Sequence, residues 1–167
     1  MATFKDYLEN NSLLILHGAL GTEMEALGYD ISGKLWSAKY LLEKSEVIQE
    51  LHETYVAAGA DLITTSSYQA TLPGLVEAGL TEKAAEQIIA LTVRLAKAAR
   101  DKVWGALDET EKAKRPYPLI SGDVGPYAAY LANGSEYSGD YGQITIKELK
   151  DFHRPRIQIL LDQGVDL

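Results

Sequence analysis

Cysteine is absent from all 167 residues of the chain. This excludes disulfides and any thiolate metal site built from this chain alone, and it favours a cytoplasmic location. Positive charge is scarce too, because 16 Lys and Arg stand against 24 Asp and Glu and leave a formal net charge of -8. An acidic surface argues against nucleic acid and against anionic membranes as partners.

Long hydrophobic runs are also missing. No apolar stretch approaches the roughly 18 residues that a membrane-spanning helix needs. The N-terminal MATFKDYLE carries acids, unlike a signal peptide. A glycine-rich phosphate loop with a following lysine is absent as well, so we rank an enzyme that handles phosphates last. What is present, 46% hydrophobic and 24% charged residues, is typical of one globular domain with a core.

Short apolar runs recur along the chain and end in polar or glycine-rich segments. They predict strands at 13–16, 61–65 and 119–121, and the start of a fourth strand at 165–167. Apolar residues at helical spacing predict helices that Ser45, Thr81 and Thr145 cap. Thr3 is predicted to cap a further helix that ends at Asn10.

One pattern occurs twice. YVAAGADL at 55–62 and ILLDQGVDL at 159–167 both lead from an apolar helix end through a glycine to a small or β-branched residue, Asp and Leu. The glycine supplies the left-handed turn from helix to strand. A repeated β-α unit implies a parallel sheet, because parallel strands need crossover connections.

The number of units indicates the fold class. Three complete β-α units are followed by the start of a fourth strand, and a domain does not normally stop there. A (β/α)8 TIM barrel needs about 250 residues. We therefore expect residues 1–167 to be the N-terminal half of such an α/β barrel, about three and a half β-α units truncated in strand 4.

The segment LITTSSYQAT at 62–71 passes directly from an apolar run into hydroxyl groups and one amide. In a parallel α/β fold the pocket lies at the carboxyl ends of the strands, so these polar residues are candidates for ligand contact. The alternative is a strand followed by a polar turn. The tyrosine- and glycine-rich stretch after residue 127 is long for a connector and is predicted to be a lid or binding loop.

Four motifs, in this order, closely resemble the homocysteine S-methyltransferases that use S-methylmethionine or S-adenosylmethionine. They are LWSAK at 35–39, TTSSYQAT at 64–71, GPYAAYLANGSEY at 125–137 and FHRPR at 152–156. The resemblance implies a (β/α)8 barrel in which a zinc ion on three cysteines binds homocysteine as the thiolate. The thiolate attacks the methyl group of the sulfonium donor and gives methionine. Zinc removes a thiol proton that is mostly retained at neutral pH.

Because this chain has no cysteine, we expect the zinc ligands to lie outside it and the chain alone to be inactive. No metal ligand is predicted within it. Its expected contribution is substrate binding, by His17, Gly18, Thr65, Ser66, Gln69 and Tyr127.

The resemblance places an aspartate, which helps to hold the substrate's amino group, where this chain has His17. A neutral histidine accepts a hydrogen bond but lacks the carboxylate's charge. Asp123 is open to two interpretations, as a ligand for a polar donor group or, favoured here, as a cap. His52 and His153 are interpreted as structural or exposed rather than as metal ligands.

A second hypothesis belongs to a different class. The chain is then a non-catalytic half-barrel that self-associates or serves as a binding module, because an open sheet has exposed edges and an uncovered face. The length of the natural product discriminates between the two hypotheses.

Overall fold

A computed structural model of the chain describes residues 4–10, 13–33 and 35–167. Within these ranges, a 3-10 helix spans Trp36–Lys39. The α-helices are α1 (Phe4–Asn10), α2 (Leu20–Ala26), α3 (Tyr40–Glu43), α4 (Ser45–Ala57), α5 (Leu72–Glu77), α6 (Glu82–Ala106), α7 (Glu109–Lys112), α8 (Tyr127–Leu131), α9 (Ser135–Ser138) and α10 (Ile146–Asp162).

Two parallel strands form the centre of the molecule, β1 (Leu62–Thr64) and β2 (Leu119–Ser121). Their register pairs Leu62 with Leu119 and Thr64 with Ser121. The long helix α6 lies between them in sequence and packs against α4. This is the β-α-β arrangement that the repeated pattern predicts, and the parallel α/β class is confirmed.

The first and fourth predicted strands are only partly formed. Leu16 makes a single parallel bridge to Leu62, and the His17 N–H donates to the Leu62 carbonyl at 3.0 Å. At the other edge the Asp166 N–H donates to the Ile120 carbonyl at 2.7 Å. Both outer segments therefore lie beside the strands expected to be their neighbours, in the chain order 1-2-3-4. Closure into a barrel stays a prediction.

The core explains why the central strands are so apolar. Ile63 and Ile120 are fully buried and pack with Val56 of α4 and Ala96 of α6. On the opposite side, Leu62 and Leu119 cluster with Tyr7 of α1. The two faces of each strand are thus covered by different helices, which explains the continuous rather than alternating hydrophobic pattern.

Helix ends follow the predictions with one exception. The Thr81 hydroxyl accepts the N–H of Ala84, and Thr145 forms a capping box with Glu148. Ser45, however, is the first residue of α4 rather than its cap, and no side chain caps that helix. Thr3, predicted as a cap, lies outside the described residues.

The stretch after residue 127 differs from the predicted long loop, because it contains α8 and α9. Ala132 ends α8 in a left-handed conformation with φ 50°, and Gly134 and Gly139 bracket α9 with positive φ. The glycines that suggested a lid or binding loop thus serve as helix boundaries. Pro155 neither ends nor restarts α10, which runs without interruption.

Within the described ranges, none of the helices combines the length and the apolar character that crossing a membrane requires.

Candidate functional site

A cavity of about 680 Å³ opens at the carboxyl ends of the strands. Its lining residues come from four segments, at 16–25, 31–37, 64–69 and 123–137. His17, Gly18, Thr65, Ser66 and Gln69 all line it. The structure therefore brings five of the six predicted binding residues together, at the place where parallel α/β folds bind ligands.

His17 lies directly after the bridge that joins the first segment to β1. Its Nε2 lies 2.5 Å from the Thr64 Oγ1, and its buried Nδ1 has no hydrogen-bond partner among the described residues. Burial lowers the pKa of the imidazole below its usual value. His17 is therefore a neutral group at pH 7 and supplies no charge to a ligand.

His52 of α4 lies behind His17. The two ring centroids are 5.7 Å apart in an edge-to-face arrangement, and the Tyr55 ring lies 5.2 Å from His17. His52 is fully buried, and neither of its ring nitrogens has a hydrogen-bond partner within the ranges that the structure describes. Burial, with a contribution from His17, lowers the pKa of His52 to about 3. As the sequence predicts, His52 is structural, packing an uncharged ring behind the cavity.

Gly18 is a glycine for a steric reason. A Cβ at this position would lie 2.7 Å from Cε1 of Tyr55, closer than side chains approach one another. The Tyr55 hydroxyl crosses over the loop and donates to the Ala19 carbonyl at 3.2 Å. The Tyr55 ring thus already occupies the space beside Gly18 that the missing side chain leaves.

Thr65 is the best connected of the predicted residues. Its N–H donates to the Ser121 carbonyl at 2.9 Å, and its side chain is buried. The Asp123 N–H donates to Thr65 Oγ1 at 2.9 Å, Thr65 Oγ1 lies 2.7 Å from Ser67 Oγ, and Ser67 Oγ donates to the Asp123 carbonyl at 2.6 Å. Because the Ser67 hydroxyl already donates to that carbonyl, the Thr65 hydroxyl must donate to Ser67 Oγ. The result is a closed ring of hydrogen bonds that begins and ends on Asp123.

Ser66 and Gln69 have uncommitted polar groups. In the part of the chain that the structure describes, the Ser66 Oγ is buried without a hydrogen-bond partner and the Gln69 side chain makes no hydrogen bond. Buried polar groups are almost always satisfied in folded proteins, so such groups beside a cavity are available to a ligand.

Tyr127 lies away from this cavity. Its ring packs edge-on against Phe152 at 5.0 Å and lies 5.8 Å from Tyr130, around a separate shallow depression. The loop after β2 reaches the cavity through Asp123 instead, although the sequence analysis favoured a capping role for this residue. The Asp123 carboxylate caps no helix among the described residues.

Arg156 of α10 is a site-forming residue that sequence reasoning missed. It is 1% exposed, and its guanidinium donates to the carbonyls of Ser67 at 3.1 Å, Tyr68 at 3.0 Å and Gly125 at 2.5 Å. Burial lowers its pKa to about 10, which leaves it charged at neutral pH. One signal was available, because Arg156 lies four residues from both Phe152 and Leu160, on an otherwise apolar helix stripe.

Gly125 shows how close the two bonded loops lie. A Cβ there would be 2.3 Å from the Tyr68 carbonyl oxygen. The guanidinium thus stabilises two loop backbones that approach each other closely, and it satisfies carbonyls that would otherwise be buried unpaired. Strands, loops and cavity together define a parallel α/β domain with a cavity at the carboxyl edge of its sheet.

A model of the homocysteine S-methyltransferase family matches residues 14–167. The chain belongs to the homocysteine S-methyltransferase family, and the resemblance drawn from its motifs is confirmed.

Relatives of known name support this assignment. The chain is 44% identical to homocysteine S-methyltransferase YbgG of Bacillus subtilis over all of its own length and 52% of the relative's. It is 45% identical to homocysteine S-methyltransferase 1 of Zea mays, over 92% of this chain and 48% of that one. The chain thus spans about half the length of these relatives.

Among solved structures, the metallated form of the homocysteine methyltransferase MmuM from Escherichia coli is similar, with a TM-score of 0.82 and 44% identity. The match covers 96% of this chain and 54% of that one. The apo form of the same enzyme matches with a TM-score of 0.69.

Proposed function

We propose that this chain forms the amino-acid-binding wall of a homocysteine S-methyltransferase, as the N-terminal half of its (β/α)8 barrel. The whole protein transfers a methyl group from S-methylmethionine or S-adenosylmethionine to the sulfur of homocysteine and gives methionine. The observation that carries the proposal is the grouping of His17, Thr65, Ser66 and Gln69 around one cavity at the strand ends, in a member of this family.

The half-barrel part of the proposal is supported by exposed apolar residues. Leu13, Ile15 and Leu16 are between 55% and 79% exposed, although they form the run that resembles a buried strand. In a closed barrel, a first strand has neighbours on both sides and its inward side chains are covered. A second half of the barrel would supply that cover.

Zinc is part of the proposal, but the residues of this chain do not fit a zinc site. The sequence has no cysteine, and among the described residues no three His, Asp or Glu side chains are grouped to hold a metal ion. The ligands of a zinc ion that activates the homocysteine sulfur would therefore lie outside this chain. No step attributed to this chain's own residues depends on the metal.

What this chain contributes is orientation. Methyl transfer is an in-line displacement, so the acceptor sulfur, the methyl carbon and the leaving sulfur have to be held in one line. A wall whose loops are fixed by Arg156 and by the hydrogen-bond ring on Asp123 positions an amino acid with little freedom. Bound rigidly at its amino-acid end, homocysteine presents its sulfur in a defined direction.

The non-catalytic alternative is not favoured, because the relatives are named as enzymes. Self-association of a half-barrel and a cytoplasmic location both stay predictions.

The test compares the 167-residue chain with the longest natural protein that contains it. Each is incubated with homocysteine and, in separate assays, with S-methylmethionine or S-adenosylmethionine; methionine is measured by mass spectrometry and bound zinc by atomic emission. We expect methionine and zinc with the longer protein and neither with the 167-residue chain. Methionine formation by the short chain would contradict the division of labour, and inactivity of the long protein with both donors would contradict the function.

A further inference from the structure

The charge of the cavity is one-sided. Three carboxylic acids line it, Glu25, Asp123 and Glu136, and among the described residues no lysine or arginine does. A site lined in this way attracts a cation. Two of the acids are poorly placed to bind one, because Glu25 is exposed on α2 and Glu136 accepts a hydrogen bond from the Tyr68 hydroxyl. Asp123 remains.

The backbone of Asp123 is fixed on both sides. Its N–H donates to Thr65 Oγ1 at 2.9 Å and its carbonyl accepts from Ser67 Oγ at 2.6 Å. Two hydroxyl groups from the loop after β1 thus determine where the residue after β2 stands. Such support is what a binding group needs if its side chain is to be held in position before the ligand arrives.

The carboxylate of Asp123 is left free by its surroundings. Arg156 is the cation that acts on it, but the guanidinium donates its hydrogen bonds to the carbonyls of Ser67, Tyr68 and Gly125. No described residue donates a hydrogen bond to the Asp123 carboxylate. Burial raises the pKa of Asp123, and the positive charge of Arg156 opposes that shift. Arg156 therefore favours the ionised form of the Asp123 carboxylate without forming a hydrogen bond to it.

We propose that Asp123 binds the ammonium group of the amino acid that occupies this cavity, and so determines its specificity for α-amino acids. The inference rests on the proposed function for the identity of the ligand. His17 lines the same cavity but is neutral, so the negative charge that an ammonium group requires comes from Asp123, in the loop after β2. The unpartnered Ser66 Oγ lies in the same lining and offers a further acceptor.

The experiment uses the longest natural protein that contains this chain. Isothermal titration calorimetry measures the affinity of the wild type and of Asp123→Asn for homocysteine, for S-methylmethionine and for 4-mercaptobutyrate, which is homocysteine without its amino group. We expect Asp123→Asn to weaken homocysteine binding by roughly 10- to 100-fold, since the negative charge that strengthens the hydrogen bond to the ammonium group is lost. The affinity for 4-mercaptobutyrate should stay the same.

Two further variants serve as controls. Glu25→Gln removes an exposed carboxylate at the same cavity and should change neither affinity. Asp123→Ser removes the charge with a smaller side chain, so it replaces Asp123→Asn if thermal unfolding shows that the asparagine variant has lost its fold.

Each other outcome has a distinct meaning. Equal losses for homocysteine and 4-mercaptobutyrate would overturn the inference, because the role of Asp123 would then be structural. Unchanged homocysteine affinity, or a loss confined to S-methylmethionine, would overturn it as well and leave the proposed function intact. A wild-type protein that binds neither homocysteine nor S-methylmethionine would refute the proposed function and the inference together.

Discussion

Two polar clusters border the cavity, and they differ in how their hydrogen bonds are satisfied. In the loops after β1 and β2, the hydroxyls of Thr65 and Ser67 and the Arg156 guanidinium are bonded to defined partners. His17 and His52 bring four ring nitrogens into the interior, and among the described residues only the Nε2 of His17 has a hydrogen-bond partner. The first cluster is a connected hydrogen-bond network in which the Arg156 Nε is the atom left without a described partner, and the second is held mainly by packing.

The difference indicates what each cluster can do. A connected network of buried hydrogen bonds fixes one conformation, and removal of one member leaves its partners buried without a hydrogen bond, which is costly. Two imidazoles with only one described hydrogen bond in total constrain the backbone less, but they resist protonation, because charging either ring in the interior is unfavourable. The first cluster should therefore control geometry, and the second should control how stability responds to pH.

Removal of Arg156 is the strongest way to break the network. Arg156→Ala leaves three buried carbonyls without donors, and we expect the free energy of unfolding to fall by about 3 to 5 kcal/mol. Urea denaturation measures the loss. Arg154→Ala, on the exposed side of the same helix, is the matched control and should have little effect. Equal stabilities of the two variants would show that the network is not important for the fold.

Gly125→Ala tests the close approach that Arg156 stabilises. The added methyl group would meet the Tyr68 carbonyl oxygen at 2.3 Å, and a backbone atom cannot move aside cheaply. We expect a loss of about 2 to 3 kcal/mol in unfolding free energy. Gly105→Ala, in the exposed end of α6 with no atom within 4 Å of the new methyl, should instead gain about 0.5 kcal/mol. A neutral Gly125→Ala would mean that the two loops can separate.

His52→Leu examines the second cluster. The pKa of His52 is about 3 in the folded protein and about 6.5 in the unfolded chain, so below pH 6.5 the unfolded state binds the extra proton. Stability is therefore lost as pH falls from 6.5 towards 3, at about 1.4 kcal/mol per pH unit for this group. The loss is about 2 kcal/mol at pH 5, and His52→Leu should abolish it.

Urea denaturation of both proteins at pH 7.5, 6 and 5 measures this difference, and the carboxylates that the proteins share cancel in the comparison. His153→Leu is the control, because that imidazole is only partly buried and should contribute less. Identical pH dependence of wild type and His52→Leu would show that the buried imidazole does not resist protonation.

The parallel class and the position of the site could be predicted from the sequence. Ile63 and Ile120 lie in unbroken apolar runs, and in a parallel sheet such runs end at one common edge, so the polar residues that follow had to meet there. Helix caps such as Thr145 were equally readable, because a cap depends on residues only three positions apart.

The remaining features depend on contacts distant in sequence. Arg156 lies 89 residues from Ser67, and nothing in a local pattern pairs a helical arginine with those carbonyls. Tyr127 follows a strand, as a cavity residue would, but Phe152 offers its ring a better surface. The two short helices α8 and α9 escaped prediction because the glycines of this segment were interpreted as part of a lid or binding loop rather than as helix ends.

One consequence follows from the position of Arg156 on α10. Arg156 joins α10 to both of the loops that follow β1 and β2, so α10 and the cavity wall should behave as one mechanical body. Loosening α10 by a few ångströms would withdraw a donor from two strand-end loops at once. We therefore expect amide exchange at Asp123, whose N–H is bonded to Thr65 Oγ1 between these two loops, to follow the fraying of this helix rather than that of the strands.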